Sequence, residues 1–372
     1  MLKMVDFYNE QQKAYQEAKR KNQKLEVEDF IESNPTKISW TRALRKDAAK
    51  SITHKFDSDR FRIAAYRPFA KQLLYFDKPF IESIGLSSML FPNTQLSNVV
   101  ISVTGEGNLG FSLLLTDAIP DLCFTKTGNG GSQCFPLYYY EEREKRSKGL
   151  FDEDGNSEYI RRDTISDFIL ERVKAMYGKN VSKEDIFYYV YGFLHNPEYK
   201  TLFANDLRKM LPRLPLVEDV RDFWKFSKAG RTLAELHINY EAVPAYEGVK
   251  VMGADSGFYT VEKMRFPKKD QKDTIVYNSK ITISNIPAKA YNYLVNGKSA
   301  IEWIMERYAT TTHKESGITN DPNDWATEVG NPRYILDLLL SVINVSVQTV
   351  EIVNNLPKVD FDSKKSEIKD VL

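Results

Sequence analysis

The chain has 372 residues, 42% of them hydrophobic and 28% charged, which is enough apolar material for two or three domains of roughly 100–200 residues and too much for a disordered chain. Lysine and arginine number 52 against 51 acidic residues, so a uniformly polycationic binder is excluded and any polyanion site must be local. With only Cys123 and Cys134, a disulfide scaffold or zinc knuckle is excluded.

Residues 1–55 read as a helical lead-in. Across residues 1–72 there are 16 Lys/Arg and 10 Asp/Glu, whereas residues 83–140 hold one lysine, Lys126, and three acids. Within a β-rich region at 56–160, the runs NVVISV (98–103), FSLLLT (111–116), DLCFT (121–125) and QCFPLYYY (133–140) are separated by Gly, Asn and Pro. They predict a mostly antiparallel sheet buried on at least one face. From Glu141 to Arg162 the dense charge predicts an exposed loop.

A helical region spans 161–245. Thr164 or Ser166 caps a helix whose Ile165, Phe168, Ile169, Val173 and Met176 share a face, and Ser182 with Asp185 forms a capping box. Asn196 and Pro197 open a third helix, and a fourth covers 218–238. In 246–372, FYTVEKMRF reads as a strand and TIVYNSKITIS as a hairpin turning at Asn278 and Ser279. Helices follow at 299–308 and from Asn331 towards Asn355, the last apolar nearly all round and so destined for the core or a partner. That stretch is interrupted by Asp337, Asn344 and Gln348 and is too short to read as a membrane span of about 20 residues; a soluble, cytoplasmic protein is expected. The expected fold class is α+β, a central mostly antiparallel sheet with a helical middle region and a helical C-terminal part.

Catalytic chemistry is not legible. GEGNLG (105–110) matches a dinucleotide fingerprint but precedes a β-prone run instead of a helix. Gly297-Lys298-Ser299 imitates a P-loop end, yet Asn292 stands where its first glycine belongs. The four histidines lie far apart, there is no G-x-S-x-G elbow, and no Pro-Pro dipeptide exists to build an amino-methyltransferase motif. No catalytic residue and no metal ligand is predicted.

The strongest local pattern lies between Lys37 and Phe76. Lys37, Arg42, Arg45, Lys46, Arg60, Arg62, Arg67 and Lys71 interleave with Trp40, Tyr66, Phe69, Tyr75 and Phe76, and Arg forks with Tyr or Trp donors suit phosphates and base edges. An ordinary amphipathic segment whose arginines pair with Asp57, Asp59 and Asp77 accounts for the pattern equally well. A second basic run, MRFPKKDQK, offers Arg265, Lys268, Lys269 and Lys272, which could equally be solvated loop charge. In the third candidate, Lys126, Asn129 and Gln133 sit among small polar residues; Asn and Gln can read adenine and Lys guanine.

Read in order, KISWTR (37–42), YRPFAKQLLYFD (66–77), LLTDAIPDLCFTKTGNGGSQCFPLYYY (114–140), VSKEDIFYYVYGFLH (181–195), FANDLRKMLPRLP (203–215), AGRTLAELHINYE (229–241), KMRFPKK (263–269), NGKSAIEWIMERY (296–308) and the stretch at 320–357 resemble the C-terminal specificity region of type ISP (type I single-polypeptide) restriction-modification enzymes. The resemblance covers nearly the whole chain. It implies a DNA target-recognition module that binds duplex DNA and presents adenine to a methyltransferase domain outside the chain, with 1–55 a possible tail of that domain. It also implies that the nuclease, the helicase-like translocase, S-adenosylmethionine, ATP and magnesium belong to upstream domains or a separate subunit, leaving no cofactor here. The matched motifs put forward Trp40, Arg42, Tyr66, Arg67 and Lys71 as DNA contacts, with Lys37 and Arg62 beside them. A non-catalytic scaffold docking on the methyltransferase is the alternative expectation.

Overall fold

The computed structural model describes residues 1–105, 107, 110–125, 131–143, 158–314 and 316–361. Helices α1 (Leu2–Lys21) and α2 (Arg42–Ala49) lead into strands β1 (Phe61–Arg67) and β2 (Ala70–Tyr75) and a single helical turn, α3 (Ser87–Leu90). Then come β3 (Val100–Thr104), β4 (Leu113–Thr116), β5 (Ile119–Pro120), β6 (Ser132–Pro136), β7 (Tyr138–Glu142) and β8 (Tyr159–Asp163). Helices α4 (Asp167–Tyr177), α5 (Lys183–Leu194), α6 (Pro197–Leu202) and α7 (Val220–Ile238) form the middle. The last part holds β9 (Lys250–Met252), β10 (Ile275–Val276), β11 (Thr282–Ser284), β12 (Leu294–Val295), β13 (Lys298–Ser299), α8 (Ala300–Arg307), α9 (Pro322–Glu328) and α10 (Tyr334–Asn354). The chain is an α+β protein with several small antiparallel sheets, and it divides into two compact units.

The first unit comprises residues 1–64, 72–88 and 311–320. Along α1, Val5, Tyr8, Gln12 and Tyr15 recur every three or four residues and are buried, the stripe a helix needs to cover a core. Against it pack Val27, Ile38, Trp40 and Leu44. Thr41 caps α2, its hydroxyl oxygen accepting from the Leu44 N–H at 3.0 Å, and Tyr8 donates to the Ile52 carbonyl at 2.8 Å.

The second unit holds the remaining described residues. Its sheet has the order β4-β3-β6, with Ile101 opposite both Leu115 and Phe135. All of β3 and β4 is buried, so the near-absence of charge across 83–140 follows from coverage on both faces. The GEGNLG string lies between two antiparallel strands, β3 and β4, and so precedes a strand and not the helix a dinucleotide site needs; Glu106, Asn108 and Leu109 lie outside the described residues. Helices α5 and α7 meet backbone to backbone: a Cβ at Gly192 would lie 2.2 Å from the Phe226 carbonyl oxygen, and one at Gly230 1.8 Å from that of Tyr188. Only glycine permits that approach.

Most of α10 is internal. Twelve of its residues are buried, and although its 21 residues are long and apolar enough to cross a membrane, 67% of that window is covered within the unit. It is a core helix, packed with Trp303 and Ile304 of α8 and with Ile275, Ile281 and Ile283 of the β10–β11 hairpin.

Several local expectations need correction. FYTVEKMRF is not a strand: only Arg265 pairs, with Val276, because side-chain amides take the neighbouring carbonyls. Asn278 donates to Phe258 O and Thr260 O, each at 3.0 Å, and Asn323 to Val261 O at 2.8 Å. DLCFT turns instead of extending, since the Asp121 carboxylate accepts from the Cys123 N–H at 2.8 Å. Within the charged stretch at 141–162, the described ends form the β7–β8 ladder, where Arg162 reaches Glu141 at 3.0 Å and Arg161 lies 4.4 Å over the Tyr138 ring; cross-strand pairing suits such charges. On α4, Ser166 is the cap, but Phe168, Ile169 and Met176 face solvent while Val173 and Tyr177 enter the core. Gly297-Lys298 belongs to a tight hairpin turn, Asn296 and Gly297 taking φ of 51° and 77°.

Candidate nucleic-acid interface

Interleaved cations and aromatics between Lys37 and Phe76 sort by depth. Trp40, Phe69, Tyr75 and Phe76 are buried, so these four rings serve the core and not a DNA surface. Trp40, 9% exposed, donates its indole N–H to the Glu32 carbonyl at 3.0 Å, which leaves no donor for a phosphate. Trp40 is thereby corrected from DNA contact to core residue.

Most of the cations are committed to carboxylates. In the first unit, Lys37 pairs with Glu32 at 2.8 Å and lies 5.1 Å over Phe7. Arg42 pairs with Glu82, whose carboxyl is held below its usual range first by the Arg42 main-chain N–H and then by the guanidinium. Arg62 turns onto its own chain, donating to Asp59 O at 2.5 Å and Phe61 O at 3.0 Å. In the second unit, Arg67 stacks 4.1 Å over Tyr66 and pairs with Asp121 at 2.5 Å. Its side chain is 18% exposed, so breaking that pair would strand a partly desolvated guanidinium. Lys71 sits between Glu241, at 2.7 Å, and the Tyr240 ring, at 4.9 Å. Of these pairs only the outermost, Lys37–Glu32 and Arg42–Glu82, could exchange cheaply for a phosphate, because exposed ion pairs contribute little.

The basic run at 263–269 is different. Arg265 is fixed by its main chain, donating to Val276 O at 3.1 Å and accepting from Val276 N at 2.9 Å, while its side chain is exposed without an ion pair among the described residues. It lines an open cleft of about 630 Å³ with Lys263, Asn278 and Phe258. Asn278 braces the cleft wall: besides its two donated bonds, its Oδ1 accepts from Lys280 N at 2.8 Å and Ile281 N at 2.7 Å. Lys268 and Lys269 are exposed in the next turn, also without ion pairs among the described residues, whereas Lys272 is tied to Glu302 at 2.9 Å. A rigid backbone carrying an uncommitted guanidinium is what bidentate recognition of a guanine edge or a phosphate requires. Lys263 completes this cluster; it stood inside the quoted KMRFPKK run without being singled out.

In the third candidate, Gln133 is exposed on β6 opposite Val103, while Lys126 and Asn129 lie outside the described residues. Among the described residues no group of three His, Cys, Asp or Glu is placed to hold a metal ion.

No curated protein matches the chain significantly. Three solved structures share its fold over 96% of its length: the ATP-dependent Type ISP restriction-modification enzyme LlaBIII bound to DNA (36% identity, TM-score 0.80), a nuclease-deletion mutant of the Type ISP enzyme LlaGI with a DNA substrate mimic (36%, 0.78), and a DrdV–DNA complex (27%, 0.76). The chain spans 21%, 30% and 33% of those three proteins. Its sequence matches the Type ISP C-terminal specificity domain over residues 1–338, and the chain therefore belongs to that family of recognition domains.

Proposed function

We propose that this chain reads duplex DNA sequence-specifically and presents an adenine to a methyltransferase domain outside it, the methyl donor, ATP and magnesium being handled by other domains of a larger Type ISP enzyme in the cytoplasm. Catalysis is assigned elsewhere; this chain supplies recognition. One observation carries the reading: Arg265 is held by two main-chain hydrogen bonds with its guanidinium free over an open cleft, in a domain whose relatives were solved on DNA. Arg265 and Lys263 would reach base edges, Lys268 and Lys269 phosphates, and Gln133, Lys126 and Asn129 a further base. Lys37 and Arg42 would exchange their carboxylates for phosphates, with Arg62, Tyr66, Arg67 and Lys71 shaping the fold around these contacts. The test is selection from a random duplex pool by the full chain: a short motif should be enriched, and Arg265→Ala should lose it. Enrichment of nothing, or of the same motif by Arg265→Ala, overturns the assignment.

A docking role has its own support, from α4 and not from the internal α10. Phe168 is 74% exposed, with Ile169 and Met176 beside it, an apolar row of the kind that marks contact surfaces. Replacing Phe168 and Met176 by serine should abolish co-elution with the methyltransferase polypeptide while leaving motif enrichment intact.

A further inference from the structure

The run FANDLRKMLPRLP (203–215) carries Arg208 and Lys209, and neither lines the Arg265 cleft. Both side chains are exposed and make no ion pair among the described residues; Asp206, the one acid between 199 and 217, pairs with neither. Loop cations are ordinarily mobile and solvated, but this main chain is fixed on both sides of them. Upstream, Leu207 is 3% exposed and donates to Phe203 O at 2.9 Å, while Asp206 O accepts from Lys209 N at 2.8 Å and Met210 N at 2.9 Å. Downstream, three buried tyrosines from three helices hold alternate carbonyls. Tyr199 of α6 donates to Arg213 O at 2.8 Å, Tyr189 of α5 to Pro215 O at 2.7 Å, and Tyr177 of α4 to Val217 O. An irregular segment needs partners for its carbonyls, and phenols rooted in the core supply rigid ones.

The position of these cations follows from the sheet. Strand β3 ends where β4 and β6 begin, with Thr104 opposite Ser132 and Val103 opposite both Leu113 and Gln133. Just beyond, a Cβ on Gly105 would meet Gly131 O at 2.5 Å and Gln133 Cγ at 3.9 Å. Two residues further on, Gly107, with a φ of 70°, donates its N–H to Arg208 O at 2.9 Å. Arg208 and Lys209 are therefore tethered at the end of the sheet where Gln133 is exposed. Cations on a tethered main chain lose less freedom on meeting an anion than mobile ones do, and phosphate contacts set register without carrying sequence information.

We infer that Arg208 and Lys209 form a phosphate clamp at this end of the sheet, gripping a DNA strand beside the base that Gln133 reads. The inference rests on the reading of this chain as a duplex-DNA binder and adds contacts separate from Arg265. The experiment is fluorescence anisotropy of the full chain on duplex carrying its selected motif, across salt concentration. Arg208→Ala and Lys209→Ala should each lower the slope of log affinity against log salt by about 1, and the double variant by about 2, with the enriched motif unchanged. Arg208→Lys should keep the slope, because it keeps the charge. Lys225→Ala should leave the slope unaltered, since that ammonium already serves Asp222 at 3.0 Å, which separates a phosphate contact from a change in net charge. A wild-type slope in the double variant, an equal loss of slope in Lys225→Ala, or a lost motif at constant slope overturns the clamp, while a motif enriched by the unaltered chain keeps the DNA reading standing. An unaltered chain that enriches no motif and binds no duplex overturns both.

Discussion

Single atoms decide more here than composition does. The contact of Gly230 with the Tyr188 carbonyl oxygen leaves no room for a methyl group, so Gly230→Ala should destabilise by about 3 kcal/mol, read from urea unfolding at constant m-value. The buried histidines set a pH response. His237 is held down to about 3 by burial and then by Lys200, and His195 is lowered for the same reasons. Both bind a proton more readily when unfolded, so their contribution is complete above the ordinary value of 6.5 and is lost as pH falls below it, at about 1.4 kcal/mol per pH unit for each histidine. Urea midpoints measured from pH 7 down to 5 should fall accordingly; a flat profile would show that the rings are not neutral and enclosed. At this scale the sequence marked the residue types but not their depth. Trp40 and Arg265 both stood in basic, aromatic runs, and only the chain brought from elsewhere, Glu32 to one and Val276 to the other, separates a core ring from a free guanidinium.

At the scale of elements, local chemistry was readable wherever it was self-contained. The capping box expected at Ser182/Asp185 forms; Ser299 and Glu302 make a second that was not singled out, and Ser299→Ala should cost about 1 kcal/mol by the same unfolding measurement. The turn at Asn278 lies where the hairpin pattern placed it. What the pattern could not give is that the Asn278 amide reaches across to Phe258 and Thr260, converting a predicted strand into a stapled irregular segment. Asn278→Ala should cost roughly 2 kcal/mol through those bonds and loosen the cleft, so DNA affinity should fall even though no DNA contact has been removed. An unchanged affinity in a filter-binding assay would mean the cleft is not where DNA is read. The outward apolar row of α4 escaped notice for a related reason: periodicity shows that residues share a face, not what that face meets.

For the whole molecule, near-zero net charge makes the salt response diagnostic. Arg265→Ala should lower the slope of log affinity against log salt by about 1 if the side chain meets a phosphate, and should erase motif preference with little change in slope if it reads a base. Lys71→Ala should leave the slope unchanged and lower stability instead, because that ammonium already serves Glu241; a changed slope would show that the pair opens on DNA. Fold class and family were legible because long ordered motifs span nearly all of the chain, while the location of the free charge was not, since balanced composition hides which cations are spent internally. The β10–β11 hairpin has a further consequence. Ile275, Ile281 and Ile283 point inward at 0% exposure while Arg265, paired to Val276, borders the open cleft, so on the proposed reading anchoring and DNA contact fall to separate positions. On that reading the segment would act as an interchangeable cassette: a library that varies the outward cations over a fixed isoleucine base, with Asn278 kept, should change the sequence bound without rebuilding the interior.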